Sequence, residues 1–190
     1  MRIAIVDSGV HAAHPHVQGV AGGVALLEDG SQNDDYVDRL GHGTAVTAVI
    51  RALAPEAQLF AVKVFHDRLS TSARMLRRAI DWAIDQEMDI VNLSLGTSNR
   101  EHAAMLGEAV DRATSRNVRI VAAKGFLPGD LTGAIAVDLD WNCPWDQCRI
   151  ENGIYYACGY PRPIPGVPVG KNLSGISFAV AHVTGCLARG

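Results

Sequence analysis

Three polar residues stand at positions where a parallel α/β protein gathers its chemistry. Asp7 ends an apolar run in IAIVDSGV, His42 precedes another in GHGTAVTAVI, and Ser177 begins the last in SGISFAVAHVTG. A buried aspartate can orient an imidazole, the imidazole can take a proton from a serine hydroxyl, and the serine can attack an acyl carbon. Residue type and position alone leave structural roles open as well: a turn former, a capping or core histidine, and a helix N-cap.

The setting of His42 is the most informative of the three. It lies between Gly41 and Gly43, directly before an apolar run that predicts a buried helix. At the positive end of a helix dipole the imidazolium is disfavoured, so we expect a neutral ring that can accept a proton. Because glycine permits close backbone approach, we expect both glycines to keep side chains away from the ring.

The elements that must position these residues alternate along the chain. Continuous apolar runs predict buried strands in RIAIVD, QLFAVKVF, MDIVNLSLG, NVRIVAA and GAIAV. Helical patterns lie between them, in STSARMLRRAIDWAIDQ and SNREHAAMLGEAVDRATSRN. The first places one apolar stripe at helical spacing, formed by Met75, Ala79, Ile80, Ala83 and Ile84. The second opens with Ser98 and Glu101 at capping-box spacing. The alternation predicts an α/β fold with a central, mainly parallel sheet, and chemistry at the carboxyl ends of its strands.

Length and composition suit one domain over residues 1–190. The chain is 48% hydrophobic and 19% charged, with a formal net charge of −3. This balance gives no reason to expect nucleic acid or a membrane surface, and no apolar run is long enough to span a bilayer. The start, MRIAIVD, lacks signal-peptide features, so we expect a cytoplasmic protein. The region between about 138 and 173 holds Pro161, Pro163, Pro165 and Pro168, and we expect it to be irregular.

Cysteines and histidines give weaker signals. Cys143, Cys148 and Cys158 lie in one loop-like region without CxxC spacing. Free thiols are the favoured interpretation in a reducing compartment, with a zinc site or a disulfide as alternatives. His14 and His16 could ligate a metal, or they could flank a structural turn around Pro15.

Three segments together identify a family resemblance. IVDSGVHAAHPHV, GHGTAVTAVI and SGISFAVAHVTG resemble, in this order, the aspartate, histidine and serine signatures of the subtilisin-like serine proteases, the subtilases. LAPEAQLFAVKVF and AIDWAIDQEMDIVNLSLG are similar to the elements between them, and only the Pro-rich region falls outside the resemblance. The resemblance implies a three-layer fold with helices on both faces of the sheet. It also implies that Asp7 is the orienting residue, His42 the general base and Ser177 the nucleophile.

The resemblance implies a substrate cleft too. Ser94, Leu95 and Gly96 would supply the edge beside which an extended peptide binds as an added strand. Ala123 and Gly125 would line the pocket for the residue before the cut.

Two positions depart from the family pattern. Phe126 stands where members usually have an asparagine that donates to the oxyanion, and Ile176 stands where they usually have threonine. Loss of one such donor costs about 2.7–4 kcal/mol of transition-state stabilisation, a value measured in this same family. The resemblance therefore implies a slow or specialised serine endopeptidase, with a dedicated precursor peptide as one candidate substrate. The alternatives are a pseudoprotease that acts as a peptide-binding or scaffold subunit, and an α/β esterase.

The resemblance also bears on partners and cofactors. The chain ends soon after Ser177, where family members continue, so we expect a homo-oligomer or a partner chain to cover the surface left open. Family members often bind calcium, and the loop EDGSQNDDYVDR is acidic, but it lacks EF-hand spacing. We expect a solvated loop there, with no cofactor and no metal.

Overall fold

The computed structural model describes residues 1–189, and within them nine strands form one sheet. The strands are β1 (Arg2–Asp7), β2 (Gly22–Leu26), β3 (Gln32–Asn33), β4 (Gln58–Lys63), β5 (Ile90–Leu93), β6 (Arg119–Ala123), β7 (Ala134–Leu139), β8 (Cys148–Glu151) and β9 (Ile154–Ala157). Their order across the sheet is β3-β2-β4-β1-β5-β6-β7-β9-β8. Neighbours pair in parallel except β2 with β3 and β8 with β9. The five strands expected from apolar runs are all present.

Helices cover both faces of this sheet. They are α1 (His42–Leu53), α2 (Ala73–Asp85), α3 (Ala103–Ser115) and α4 (Ile176–Arg189), with short 3₁₀ turns at Arg100–His102 and Val169–Lys171. Successive residues of a strand point to opposite faces. In β1, Ile3 and Ile5 pack with α1 and α4, whereas Ala4 and Val6 pack with α2 and α3. The expected three-layer α/β fold is confirmed.

Local sequence signals explain how the helices begin. The predicted apolar stripe of α2 is buried, and the Ser72 hydroxyl caps that helix by accepting from the Met75 N–H at 3.2 Å. The capping box expected at Ser98 is wrong by one residue. Asn99 caps the 3₁₀ turn before α3, because its side-chain oxygen accepts from the Glu101 N–H at 3.0 Å.

The region expected to be irregular contains regular structure. β7 continues to Leu139, and β8 and β9 form an antiparallel hairpin inside the 138–173 range. Asn152 and Gly153 connect these two strands with φ angles of 51° and 78°. Two consecutive residues at positive φ form the turn that favours hairpins, and Asn-Gly is its strongest sequence signal. Within this range, residues 140–147 and the segment from about 158 to 173 are without strands and long helices.

The last helix lies deep in the protein. α4 is buried from Phe178 to Gly185, where it packs on α1 and on the central strands. The exposed apolar side chains near it belong to the preceding segment instead, including Ile164, Val167, Val169 and Leu173. No helix in residues 1–189 combines the length and the apolar character needed to cross a membrane.

Candidate active site

A buried carboxylate and an imidazole form the centre of the site. Asp7, the last residue of β1, is fully buried, and His42 is the first residue of α1. The His42 Nδ1–H donates to both oxygens of Asp7, at 2.8 and 2.9 Å. The imidazole is thereby fixed in orientation, and 15% of its side chain stays exposed. The Ser8 N–H donates to the same carboxylate at 2.7 Å, which holds it in place.

The two glycines beside His42 have different roles. A Cβ on Gly43 would collide with the Gly9 carbonyl oxygen and lie 3.2 Å from Asp7 Oδ1. Gly43 thus permits the close approach of the Gly9 backbone and of Asp7. At Gly41 an added Cβ would meet no atom within 4 Å beyond its chain neighbours, so that the expected effect of either glycine on the His42 ring itself stays a prediction. Gly41 is the N-cap of α1 at φ 86°, a left-handed conformation that glycine adopts without strain.

Asp38 anchors the start of α1, and the sequence reasoning missed it. Its Oδ1 accepts from the Ser8 hydroxyl and from the Leu40 and Gly41 N–H groups, at 2.8–2.9 Å. Its Oδ2 accepts from the Thr44 N–H and hydroxyl, at 2.8 and 2.6 Å. The first N–H groups of a helix lack helical partners, so these bonds fix where α1 begins. The only sequence signal was a carboxylate shortly before a helix start.

Electrostatics at His42 differ from the expectation. Burial alone would lower the pKa of the imidazole, but the hydrogen bond to Asp7, its charge and the charge of Asp38 outweigh burial. The pKa of His42 lies above its ordinary value. The prediction that the helix dipole keeps the ring neutral is thus wrong in direction, because two nearby carboxylates favour the charged form. The two carboxylates thereby make the His42 ring a stronger base.

Ser177 shares a cavity with His42. It is the second residue of α4 and lines a cavity of about 370 Å³ together with the imidazole and with Ser94–Gly96. Its hydroxyl donates to the Ser94 carbonyl at 3.1 Å, and the described residues show no hydrogen bond from it to His42. The structure therefore joins Asp7 to His42 directly and places Ser177 in the same cleft with its hydroxyl turned aside.

A buried polar chain supports the strand end next to Ser177. The Thr184 hydroxyl donates to Asn92 Oδ1 at 2.9 Å, and Asn92 Nδ2 donates to the Ser94 hydroxyl at 2.8 Å. Thr184 and Asn92 are both fully buried. Since Thr184 belongs to α4 and Asn92 to β5, the chain fixes the helix that carries Ser177 against the cleft edge. An amide within the apolar run DIVNL was the signal available in the sequence.

A smaller cavity adjoins the serine. Its volume is about 180 Å³, and its lining includes Ser94, Leu95, Gly96, Ala123 and Ser177. These residues come together as the resemblance implied. Gly125 does not belong to this lining, because its N–H donates to Asp130 Oδ1 at 2.7 Å and the chain turns away at φ 85°.

The two departures from the family pattern lie on this same cavity. Phe126 and Ile176 both line it, and Phe126 is 41% exposed. Neither side chain carries a donor. Thr97 and Leu127 exchange backbone hydrogen bonds of 3.0 and 2.9 Å, which brings the Phe126 turn against Gly96. The cavity beside Ser177 is accordingly bordered by apolar side chains at these two positions.

Several carboxylates of the acidic loop bind groups of the protein. Asp29 accepts from Ser31, Asp35 pairs with Arg39, and both oxygens of Asp38 are bound by protein donors. Within residues 1–189 no three histidine, cysteine or carboxylate side chains are placed to hold a metal. All four cysteines are free. The Cys186 thiol contacts Cys148 and lowers its pKa to about 7, while the pKa of Cys186 is raised.

A carboxylate–imidazole pair and a serine in one cleft, at the carboxyl ends of parallel strands, are the groups that serine hydrolases use. Residues 1–134 match the subtilase family. A thermostable alkaline protease of Halalkalibacterium halodurans is 33% identical over a 213-residue alignment that covers 98% of this chain and 55% of the relative. The chain belongs to the subtilase family.

Other relatives give the same result. Subtilisin Savinase of Lederbergia lenta is 32% identical, over 99% of this chain and 75% of the relative. The solved structure of the prenylagaramide maturation protease PagA matches with a TM-score of 0.72 and 26% identity, over 97% of this chain and 72% of that chain. The minor extracellular protease Epr of Bacillus subtilis is 38% identical over 135 residues, and this chain spans only 20% of its length. The chain spans 34% of the length of subtilisin E from the same organism.

Proposed function

We propose that this protein is a serine endopeptidase that cleaves peptides through an acyl-enzyme. The observation that carries the proposal is the bond from His42 to the buried Asp7, in the cleft that Ser177 also lines. Family membership supports it. In this proposal Asp7 is the orienting residue, His42 the general base and Ser177 the nucleophile, as the family resemblance implied.

Each step uses a group that the geometry supplies. Ser177 must turn its hydroxyl from the Ser94 carbonyl toward His42 Nε2, which takes its proton as Oγ attacks the peptide carbonyl carbon. Asp7 stabilises the imidazolium that forms. The imidazolium then gives the proton to the leaving amine. In the second half, His42 takes a proton from water as the water oxygen attacks the acyl carbon. The imidazolium then gives that proton to Ser177 Oγ as the bond between Oγ and the acyl carbon breaks, which releases the acid product and regenerates both residues.

The oxyanion must be held without the usual side-chain donors. Ser177 lies in the first turn of α4, where N–H groups lack helical partners and can donate. Phe126 and Ile176 add no donor. With fewer donors the developing charge is less stabilised, so we propose slow turnover on a restricted set of substrates.

A precursor peptide is the proposed substrate class. The match to PagA covers 97% of this chain, and PagA is described as a maturation protease. Ser94–Gly96 would pair with the extended peptide, and Ala123 would border the side chain before the cut. Placement in the cytoplasm, a single domain over 1–190, and an oligomer or partner chain all stay predictions. Exposed Val167 and Val169 support a contact surface, which sedimentation velocity tests.

A peptide library tests the activity directly. The protein is incubated with randomised peptides and the products are identified by mass, with Ser177→Ala as the inactive variant and Ser174→Ala, an exposed neighbour, as the matched control. We expect products from the wild type and Ser174→Ala only. Equal cleavage by Ser177→Ala would exclude the proposal. Binding without cleavage would indicate a pseudoprotease, and turnover of small esters alone would indicate an esterase.

A further inference from the structure

A third cavity lies beside the start of α1 and has no part in the chemistry above. Its volume is about 570 Å³. One wall comes from the turn after β1, with His14 and His16, and the opposite wall comes from the 161–173 segment, with Arg162 and Leu173. Arg39 stands at its edge. His11, which also lines the cavity, does not form a metal site with His14 and His16 among the described residues.

The lining of this cavity carries two arginines, Arg39 and Arg162, against one carboxylate, Asp38. Five protein donors already bind the Asp38 oxygens. Arg39 pairs only with Asp35, at a half-exposed position where such a pair is weak. Arg162 forms no ion pair within residues 1–189. Burial and then the charges of Arg162 and His14 lower the pKa of His16.

The shape and the apolar part of the lining favour a peptide over a small anion. Ile164 and Leu173 are 45% and 49% exposed, and Ala45 and Ala48 of α1 complete an apolar wall. A phosphate ion would leave this wall uncovered. A peptide segment with glutamate or aspartate side chains would place methylene groups on the wall and carboxylates near the arginine.

The position of the cavity assigns it to one side of the reacting bond. The cavities of about 370 and 180 Å³ are both lined by Ser94–Gly96, the edge proposed to hold the acyl part of the substrate. The third cavity shares none of these residues. It is lined instead by Gly41, directly before His42, and by Leu173, four residues before Ser177. It therefore borders the start of α1 and the segment before α4, and it shares no lining residue with the cavities on the acyl side.

We infer that this cavity binds an acidic segment of the substrate on the leaving-group side of the cut. The inference rests on the proposed endopeptidase function and names a specificity that the function does not require. Arg162 is its main cation, with Arg39 adding to the positive field.

Two peptide pools test the inference. Both carry the same randomised core, followed in one pool by alternating aspartate and glutamate and in the other by alternating asparagine and glutamine. The initial cleavage rate of each pool is measured at low salt and again at high salt. We expect the acidic pool to be cleaved faster by the wild type, through a lower KM, and Arg162→Gln to reduce this preference by up to about fivefold. High salt should reduce it as well, because salt screens exposed charges.

A binding measurement separates this inference from the proposed function. Fluorescein-labelled acidic peptide is titrated into Ser177→Ala, with and without Arg162→Gln, and Arg116→Gln serves as the matched control at an exposed arginine on the far end of α3. Tighter binding of the acidic peptide that depends on Arg162 but not Arg116 supports the inference even if no peptide is cleaved. Equal binding and equal cleavage of both pools overturn it and leave the endopeptidase proposal standing.

Discussion

Replacement of Asp38 by asparagine tests the argument that this carboxylate positions the catalytic helix. Asparagine keeps one acceptor oxygen and turns the other into an NH₂ group, which cannot accept. If the oxygen stays toward Ser8, Leu40 and Gly41, the Thr44 N–H loses its acceptor. The Thr44 hydroxyl can rotate and accept instead. Asp38→Asn therefore leaves at least one backbone donor at the start of α1 without a partner.

The magnitude follows from the bonds that are lost. A hydrogen bond to a charged group contributes about 1.5–3 kcal/mol, and a negative charge at a helix N-terminus adds about 0.3–1 kcal/mol. We expect Asp38→Asn to lower the free energy of unfolding by about 2–4 kcal/mol. For a domain of this size that is a fall in Tm of about 4–16 °C.

The pH dependence gives an independent check. Burial alone would raise the pKa of Asp38, but hydrogen bonds from Thr44, Gly41 and Leu40 hold it below its ordinary value. A depressed pKa means that the stabilisation is complete above the unfolded-state pKa of about 4 and is lost as the pH falls below it. The stability gap between wild type and Asp38→Asn should be constant near neutral pH and shrink below about pH 4. Loss of the charge should also lower the pKa of His42, moving the acid limb of kcat/KM to lower pH.

The assay is thermal unfolding followed by circular dichroism across pH, with Asp35→Asn as the matched control. Asp35 pairs with Arg39, but both side chains are at least half exposed, so we expect the Tm of Asp35→Asn to stay near that of the wild type. If Asp38→Asn unfolds at the same temperature as Asp35→Asn at pH 7, the positioning argument is refuted.

Three further changes address the rest of the site. Phe126→Asn should raise kcat by well under a hundredfold with little change in KM, because oxyanion donors act on charge that appears only in the transition state. Steady-state kinetics on one peptide measures both constants. A lower kcat with an intact fold would contradict this prediction. Gly43→Ala should destabilise the protein by about 1–3 kcal/mol through its collision with the Gly9 carbonyl, whereas Gly107→Ala, where the added Cβ meets nothing, should not lower Tm. Cys148 is partly exposed and its thiol has a pKa of about 7, whereas Cys143 is buried and its pKa is raised. Cys148 should therefore react with iodoacetamide at pH 7.5 faster than Cys143. Equal reaction rates, measured by peptide mass mapping, would contradict this difference in pKa.

The sequence was sufficient for the layers and for the approximate place of the cleft. Apolar runs such as RIAIVD are long and uninterrupted, so they predicted strands buried on both faces. The stripe of α2 repeats at helical spacing and was therefore predictable as well. The β8–β9 hairpin was missed because the prolines after 160 dominated the region, although Asn152-Gly153 carried a turn signal.

The missed parts of the site depend on contacts between distant segments. Asp38 binds Ser8, 30 residues away, and Thr184 binds Asn92 across 92 residues. No local pattern encodes such pairings. The pKa of His42 was misjudged for the same reason, because the helix dipole was visible in the sequence and the nearness of Asp38 was not. The hydroxyl direction of Ser177 likewise depends on the Ser94 carbonyl from another strand.

Labelling with a fluorophosphonate probe tests the central claim most directly, because the probe needs an activated serine and no knowledge of the substrate. The account predicts one labelled residue, Ser177, found by peptide mass mapping. Labelling should be lost in Ser177→Ala, strongly reduced in His42→Ala, and unchanged in Ser174→Ala. Labelling of Ser177→Ala at the wild-type rate, or labelling of Ser177 that is indifferent to loss of His42, would contradict the account.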